Sequence, residues 1–266
     1  PLGYLLETGS DKPFFRAIYL GAINWLGIVG VFFMFMLLLA LTRLISGYAL
    51  HWSVALVATA IILTIAFYQG LRVVIRRENV HIGRLKEKKT IVHISDLHLD
   101  TLIAKKRLER TITMIKRENP DIVIISGDLL DRPGGTNPDL LKPFNRLKAP
   151  IYFSLGNHDQ YVGEDVVTRQ LDKTRIQLLR NATGTAGTFQ IIGIDDAESR
   201  TQVETVMPTI KLQSKKIKIL IYHRPDSVAY AAKQGIDLML CGHTHDGQLV
   251  PCTTLICYAF KHFKGR

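Results

Sequence analysis

The chain has 266 residues, 47% hydrophobic and 8% aromatic, with 34 Lys+Arg against 23 Asp+Glu and a formal net charge of +11. That length fits about two ordinary domains, and the apolar content excludes a disordered chain. Residues 1–89 hold 10 Lys+Arg against 4 Asp+Glu, whereas residues 90–266 hold 24 against 19. The C-terminal part is therefore only mildly basic, and no nucleic-acid partner is expected.

The first predicted element runs from Phe14 to Leu41 and is apolar on every face, with 26 uncharged residues between Arg16 and Arg43. Crossing a hydrocarbon core of about 30 Å takes roughly 20 apolar residues. This run satisfies the requirement, and so does a second from Trp52 to Ile75. The first also exceeds the short apolar region of a cleavable signal peptide. Thr42 to His51, with Gly47 as a turn signal, joins the two into a transmembrane hairpin.

Orientation follows from the flanking cations. Lys12 and Arg16 precede the hairpin, Arg43 alone lies in its loop, and Arg72, Arg76, Arg77, Arg84, Lys86, Lys88 and Lys89 follow it. Positive flanks stay on the cytoplasmic side, so both ends and everything after Ile75 are expected in the cytoplasm, at a bacterial inner membrane. The exit cluster should attract anionic lipid at about 1 kcal/mol per residue near the surface. Residues 1–89 thus read as a membrane region with a basic linker, and residues 90–266 as a globular domain. A start at Pro1 and a stop at Arg266 lead us to expect a piece of a longer chain.

From Thr90 the pattern changes to short apolar runs that read as buried strands: Ile91 to Ser95, Ile122 to Ser126, Ile151 to Leu155, Phe189 to Ile194, Ile217 to Tyr222 and Ile236 to Cys241. Between the first two, Lys105 to Glu118 places Leu108, Ile112 and Ile115 at helical spacing and stops at Asn119-Pro120. Alternating strand and helix predict an α/β core. The cysteines Cys241, Cys252 and Cys257 are odd in number and lack CxxC spacing, which argues against a disulfide framework or a zinc knuckle.

The chemistry gathers where the strands end. Ser95-Asp96-Leu97-His98 follows the first, Gly127-Asp128-Leu129-Leu130-Asp131 the second and Gly156-Asn157-His158-Asp159 the third. His223 follows the fifth, and Gly242-His243-Thr244-His245 the sixth. Ligands collect at this edge of open α/β sheets. Five of the nine histidines, grouped with Asp96, Asp128 and Asn157 and lacking a thiolate partner, form an oxygen and nitrogen donor set that suits Mn, Fe, Zn or, less well, Mg. Seven candidate ligands exceed one metal and fit two sharing a bridge. Two divalent ions about 3.5 to 4 Å apart can hold a bridging hydroxide and stabilise an in-line displacement at phosphorus.

The ordered motifs DLH, GDLLD, GNHD, YH and GHTH, from about Ile91 to Gln248, resemble those of the calcineurin-like metallophosphoesterases. The resemblance implies an α/β fold of two β-sheets packed face to face and flanked by helices. It also implies that Asp96, His98 and His245 hold one metal, that Asn157, His223 and His243 hold the other, and that Asp128 bridges them. His158 would protonate the leaving oxygen or contact the phosphoryl group, and Asp131 would orient its loop. Arg132 and Arg224 are candidate phosphate contacts, while Asp195 and Asp196 read as loop caps. Asp246 stands where membrane-linked relatives carry glycine, and relatives usually continue into a further strand or two beyond the last motif.

The expected function is a membrane-anchored phosphoesterase acting on a phosphomonoester, phosphodiester or pyrophosphate, including a lipid-linked headgroup. By analogy the nearest activity is the UDP-diacylglucosamine pyrophosphatases of lipid A synthesis. The alternatives are a phosphoprotein phosphatase or nucleotide phosphodiesterase residing on the membrane, and a catalytically inactive membrane scaffold or sensor.

Overall fold

The computed structural model describes residues 13–70, 72–99, 102–131 and 139–245. The chain divides into two compact units, Pro1–Ile75 and Arg76–Arg266. In the first, helices α1 (Pro13–Ser46) and α2 (Ser53–Gly70) pack against each other. Within α1, Asn24–Ser46 is long and apolar enough to cross a membrane, and so is α2. Trp25, Leu26, Phe33, Ile61 and Phe67 turn outward and stand exposed, an arrangement that water penalises and hydrocarbon relieves. Helix α1 runs past Leu41 and stops at Gly47, whose φ of +76° and N–H donation to the Arg43 carbonyl form a left-handed cap. Helix α2 ends at Gly70, five residues before the expected Ile75.

The linker after Ile75 belongs to the second unit. Ile82 and Leu85 pack against one of its cores. Arg77 pairs with Glu118 at 2.6 Å, and Nη2 of Arg84 reaches both carboxylate oxygens of Asp237 at 2.6 Å. Lys89 pairs with Glu87 at 3.4 Å and Asp121 at 3.6 Å, so three of the seven exit cations are occupied within this unit.

Among the described residues, eight strands make two four-stranded sheets. The first is wholly parallel in the order β1 (Ile91–Ile94), β2 (Ile122–Ser126), β3 (Ile151–Ser154), β4 (Ile176–Leu178). The second runs β5 (Ala182–Ala186), β6 (Phe189–Ile194), β7 (Ile217–Tyr222), β8 (Leu238–Leu240), parallel apart from the β5–β6 hairpin. The sheets pack face to face. The alternation of strand side chains explains why: Ile122, Ile124 and Tyr152 meet Phe189, Ile191, Ile217, Ile219 and Ile221 between them.

The opposite faces receive helices. Val123, Ile125, Ile151 and Phe153 pack under α3 (Leu102–Glu118), which buries Ala104, Leu108, Ile112 and Ile115 along one stripe. Helix α3 ends at Asn119, left-handed at φ +45°, just before Pro120. Helices α4 (Asn157–Val162) and α5 (Glu164–Leu171) complete that side. On the outer face of the second sheet, Ile192, Ile194, Leu220 and Tyr222 pack with Val203 of α6 (Gln202–Val206) and Ala231 of α7 (Val228–Lys233). This is the fold that the resemblance implies.

Strands β4 and β5 escaped the sequence reading. One has three residues, and the other, Ala-Thr-Gly-Thr-Ala, is an edge strand with little to bury. The last expected strand is shorter than Ile236 to Cys241.

Candidate metal centre

Strands β1, β2, β3 and β7 deliver their following loops to one end of the two-sheet stack, and β8 adds another. Beyond β1 the in-and-out alternation continues off the sheet. Leu97 and Leu99 are buried, while Asp96 and His98 point the other way. Backbone bonds from Asp96, His98 and Leu99 to the carbonyls of Gly127, Asp128 and Leu129 lay this loop on the next. In that second loop Leu129 and Leu130 are buried anchors between Asp128 and Asp131.

The backbone is bent to make the site. Asp96, His98, Asp128, His243 and His245 all have φ between 45° and 72°. That left-handed region costs a non-glycine residue of order 1 kcal/mol or more and clusters at functional sites. Two glycines admit the close approach. At Gly127, with φ of +89°, a Cβ would strike the His223 ring, and at Gly156 one would strike the Asp128 carboxylate.

The donors converge. His245 Nε2 lies 3.4 Å from Asp96 Oδ1 and 3.4 Å from His98 Nε2. Asp128 Oδ2 lies 3.8 Å from His98 Nε2 and 3.1 Å from His223 Nε2. On the far side His223 stands 4.0 Å from Asp96 Oδ1, and Nδ1 of His243 lies 3.1 Å from Asn157 Oδ1. All seven sequence-predicted ligands are thus brought to one place.

The donor set fits metal ions. His223 is fully buried, and its Nδ1 donates to the Ser126 carbonyl at 2.8 Å, so the ring is fixed with Nε2 turned toward the carboxylates. That Nε2 is buried and faces Asp128 Oδ2 at 3.1 Å. A second-nitrogen anchor of this kind is the usual support of a metal-binding histidine. Burial alone would push His223 down, but Asp128 and Asp96 push it up further, to about 9. Asp128 is raised by burial, yet His223 and the His158 amide hold it below its ordinary value. The carboxylates around His223 call for positive charge, which a bound cation would supply.

The family model for calcineurin-like phosphoesterases matches residues 89–247. The chain belongs to the calcineurin-like phosphoesterase family. Members of that family are metal-dependent phosphoester hydrolases, in agreement with the candidate ligand groups here. An uncharacterised metallophosphoesterase of Helicobacter pylori is 28% identical over 208 residues, covering 75% of this chain and 56% of the relative. A Danio rerio protein called transmembrane protein with metallophosphoesterase domain is 31% identical over 195 residues, 66% of this chain and 44% of its own. Phosphodiesterase YaeI of Escherichia coli is 27% identical over 170 residues, 60% of this chain and 61% of its own. The chain therefore spans about half the length of the first two.

Within this calcineurin-like centre Asp131 does more than the loop role expected of it. Its Oδ1 sits 2.5 Å from Nδ1 of His158 and 3.2 Å from Nδ1 of His98. Hydrogen bonds from these two rings hold the Asp131 carboxyl well below the usual carboxylate range, and Asp131 raises His158 in turn.

Asp159, the last residue of GNHD, has a role that the sequence analysis leaves unassigned. Fully buried, it accepts the Leu130 N–H at one oxygen and the Gly156 N–H at the other, both at 2.9 Å, and so ties the second loop to the third. Its position at the third residue of α4, reaching back to the preceding amide, is half of a capping box and was visible in GNHD. Burial pushes it up to about 7 although both amides pull it down.

Of the candidate phosphate contacts, Arg132 lies outside the described residues. Arg224 forks onto Asp196 through Nε and Nη2 at 2.8 to 3.0 Å. Asp196 is therefore an ion-pair partner rather than a loop cap, and Asp195 likewise takes Arg180 at 3.0 Å. Asp246, Cys252 and Cys257 also lie outside the described residues.

Proposed function

We propose that the chain is a membrane-anchored phosphoesterase with a binuclear centre, held by the α1–α2 hairpin at a bacterial inner membrane with its catalytic domain in the cytoplasm. The observation that carries the reading is the pairing of His158 with Asp131 at 2.5 Å beside the converged ligand set. When bound, two divalent ions, Mn, Fe or Zn before Mg, would activate a water and neutralise charge on the phosphoryl oxygens. Asp96, His98 and His245 would hold one and Asn157, His223 and His243 the other, with Asp128 between them. His158, whose proton Asp131 helps to hold, gives that proton to the departing oxygen. Arg132, and Arg224 through the Nη1 left over from its fork on Asp196, are the phosphate contacts of this reading.

The name of the Escherichia coli relative ranks a phosphodiester first among substrates, ahead of a phosphomonoester, a pyrophosphate or a lipid-linked headgroup. The positive exit from the hairpin supports the cytoplasmic placement. The test is turnover by metal-loaded protein in detergent on bis-p-nitrophenyl phosphate, p-nitrophenyl phosphate and a lipid pyrophosphate. Metal-dependent hydrolysis led by the diester is expected; no hydrolysis of any of the three overturns the enzymatic reading.

A further inference from the structure

Among the described residues of 91–245, one large apolar side chain stands exposed: Tyr161, at 64%. A single exposed aromatic is ordinary on a protein surface, but the position of this one is specific. It lies three residues after His158 on α4, a spacing that puts both on one helix face. The two ring centroids are 5.6 Å apart at 61°. His158 in turn meets His98 edge-on at 4.7 Å, and His98 stacks on His245 at 5.2 Å. Four rings therefore form a continuous row from the ligand cluster to solvent, and Tyr161 is its outer end. Its helix neighbours Asp159 and Val162 are buried, which pins α4 and keeps Tyr161 at the rim.

We propose that Tyr161 is a specificity-determining residue, offering its ring to a planar aromatic group, an aryl ring, on the leaving oxygen of the substrate. The inference rests on the phosphodiester reading above and names the class of leaving group. As water oxygen bonds to phosphorus and the P–O bond to the leaving group breaks, the proton on Nε2 of His158 passes to the departing oxygen, and water's proton goes to solvent. The group on that oxygen then lies next to the ring that touches His158. Aromatic pairs favour the offset and edge-on arrangements that such a rim permits. An alkyl tail would need a contiguous apolar trough. Among the described residues, the chain flanking Tyr161 is instead polar: Gln160 is bonded to the Asp196 carbonyl, and Glu164 and Asp165 open the next helix.

The experiment is calorimetric titration of the Mn-loaded full chain in detergent with phenyl phosphate and with methyl phosphate. Wild type should prefer the phenyl ester about threefold to tenfold. Tyr161→Ala should bring that ratio to near one with metal content unchanged, while Tyr161→Phe keeps it. A preference that survives Tyr161→Ala, equal binding of both esters by wild type, or an octyl ester that outcompetes the phenyl one overturns the inference alone. A wild-type protein that binds neither ester and leaves bis-p-nitrophenyl phosphate intact overturns the phosphoesterase reading, and the inference falls with it.

Discussion

Oδ1 of Asp131 accepts a hydrogen bond from Nδ1 of His158 at 2.5 Å. The carboxylate raises the imidazole above its ordinary value, so activity that depends on its proton must fall as pH rises through that raised value. Asp131→Asn removes the charge, so the alkaline limb of the rate profile moves to lower pH while both metals remain. A limb that stays in place would remove His158 from the role of acid.

Asp128 and His158 separate holding the metals from using them. Asp128→Ala should abolish turnover and weaken both metals, because Asp128 faces His98 on one side and His223 on the other. His158→Ala should keep both metals and lose rate by about 10²- to 10⁴-fold. Elemental analysis beside kinetics checks the division, and equal metal loss in the two variants would refute it.

His223 stands at about 9 in the metal-free centre and is protonated at pH 7. A nitrogen ligand binds metal only when unprotonated, so uptake at pH 7 releases a proton and affinity climbs as pH rises toward about 9. Metal titrations in two buffers of different ionisation enthalpy measure that proton directly. Identical apparent enthalpies in both would contradict the assignment.

The Asp196–Arg224 pair is nearly closed to solvent, at 1% and 17% side-chain exposure. Removing one partner of a buried pair strands the other, so Asp196→Ala should cost about 3 kcal/mol. Adding Arg224→Met should recover part of the loss. Denaturant midpoints read both, and a single-variant loss near that of an exposed pair would mean that the fork is solvated.

Much of this was legible in the sequence because burial on both faces writes continuous apolar runs. Strands β2, β3, β6 and β7 are such runs, and each hands its next residues to one edge. What stayed hidden depends on neighbours in space. Asp196 and Arg224 follow β6 and β7, adjacent parallel strands, and meet across 28 residues of sequence. The bond from Asp131 to His158 depends on how two loops lie together, which no spacing reveals. Strand β5 has little apolar content because it closes an edge, and its Gly184 leaves room for the Tyr152 ring.

The fork of Arg84 on Asp237 decides where a free-standing catalytic fragment has to begin. Asp237 also receives the Lys218 amide and immediately precedes β8, the strand that leads to His243 and His245. A fragment cut at Thr90 would lose that guanidinium and, with Ile82 and Leu85, part of the intersheet packing. A fragment cut between Gly70 and Arg76 keeps all three. The basic stretch after the hairpin is thus a structural part of the enzyme domain, and a soluble preparation lacking it would misreport the metal affinity of the whole.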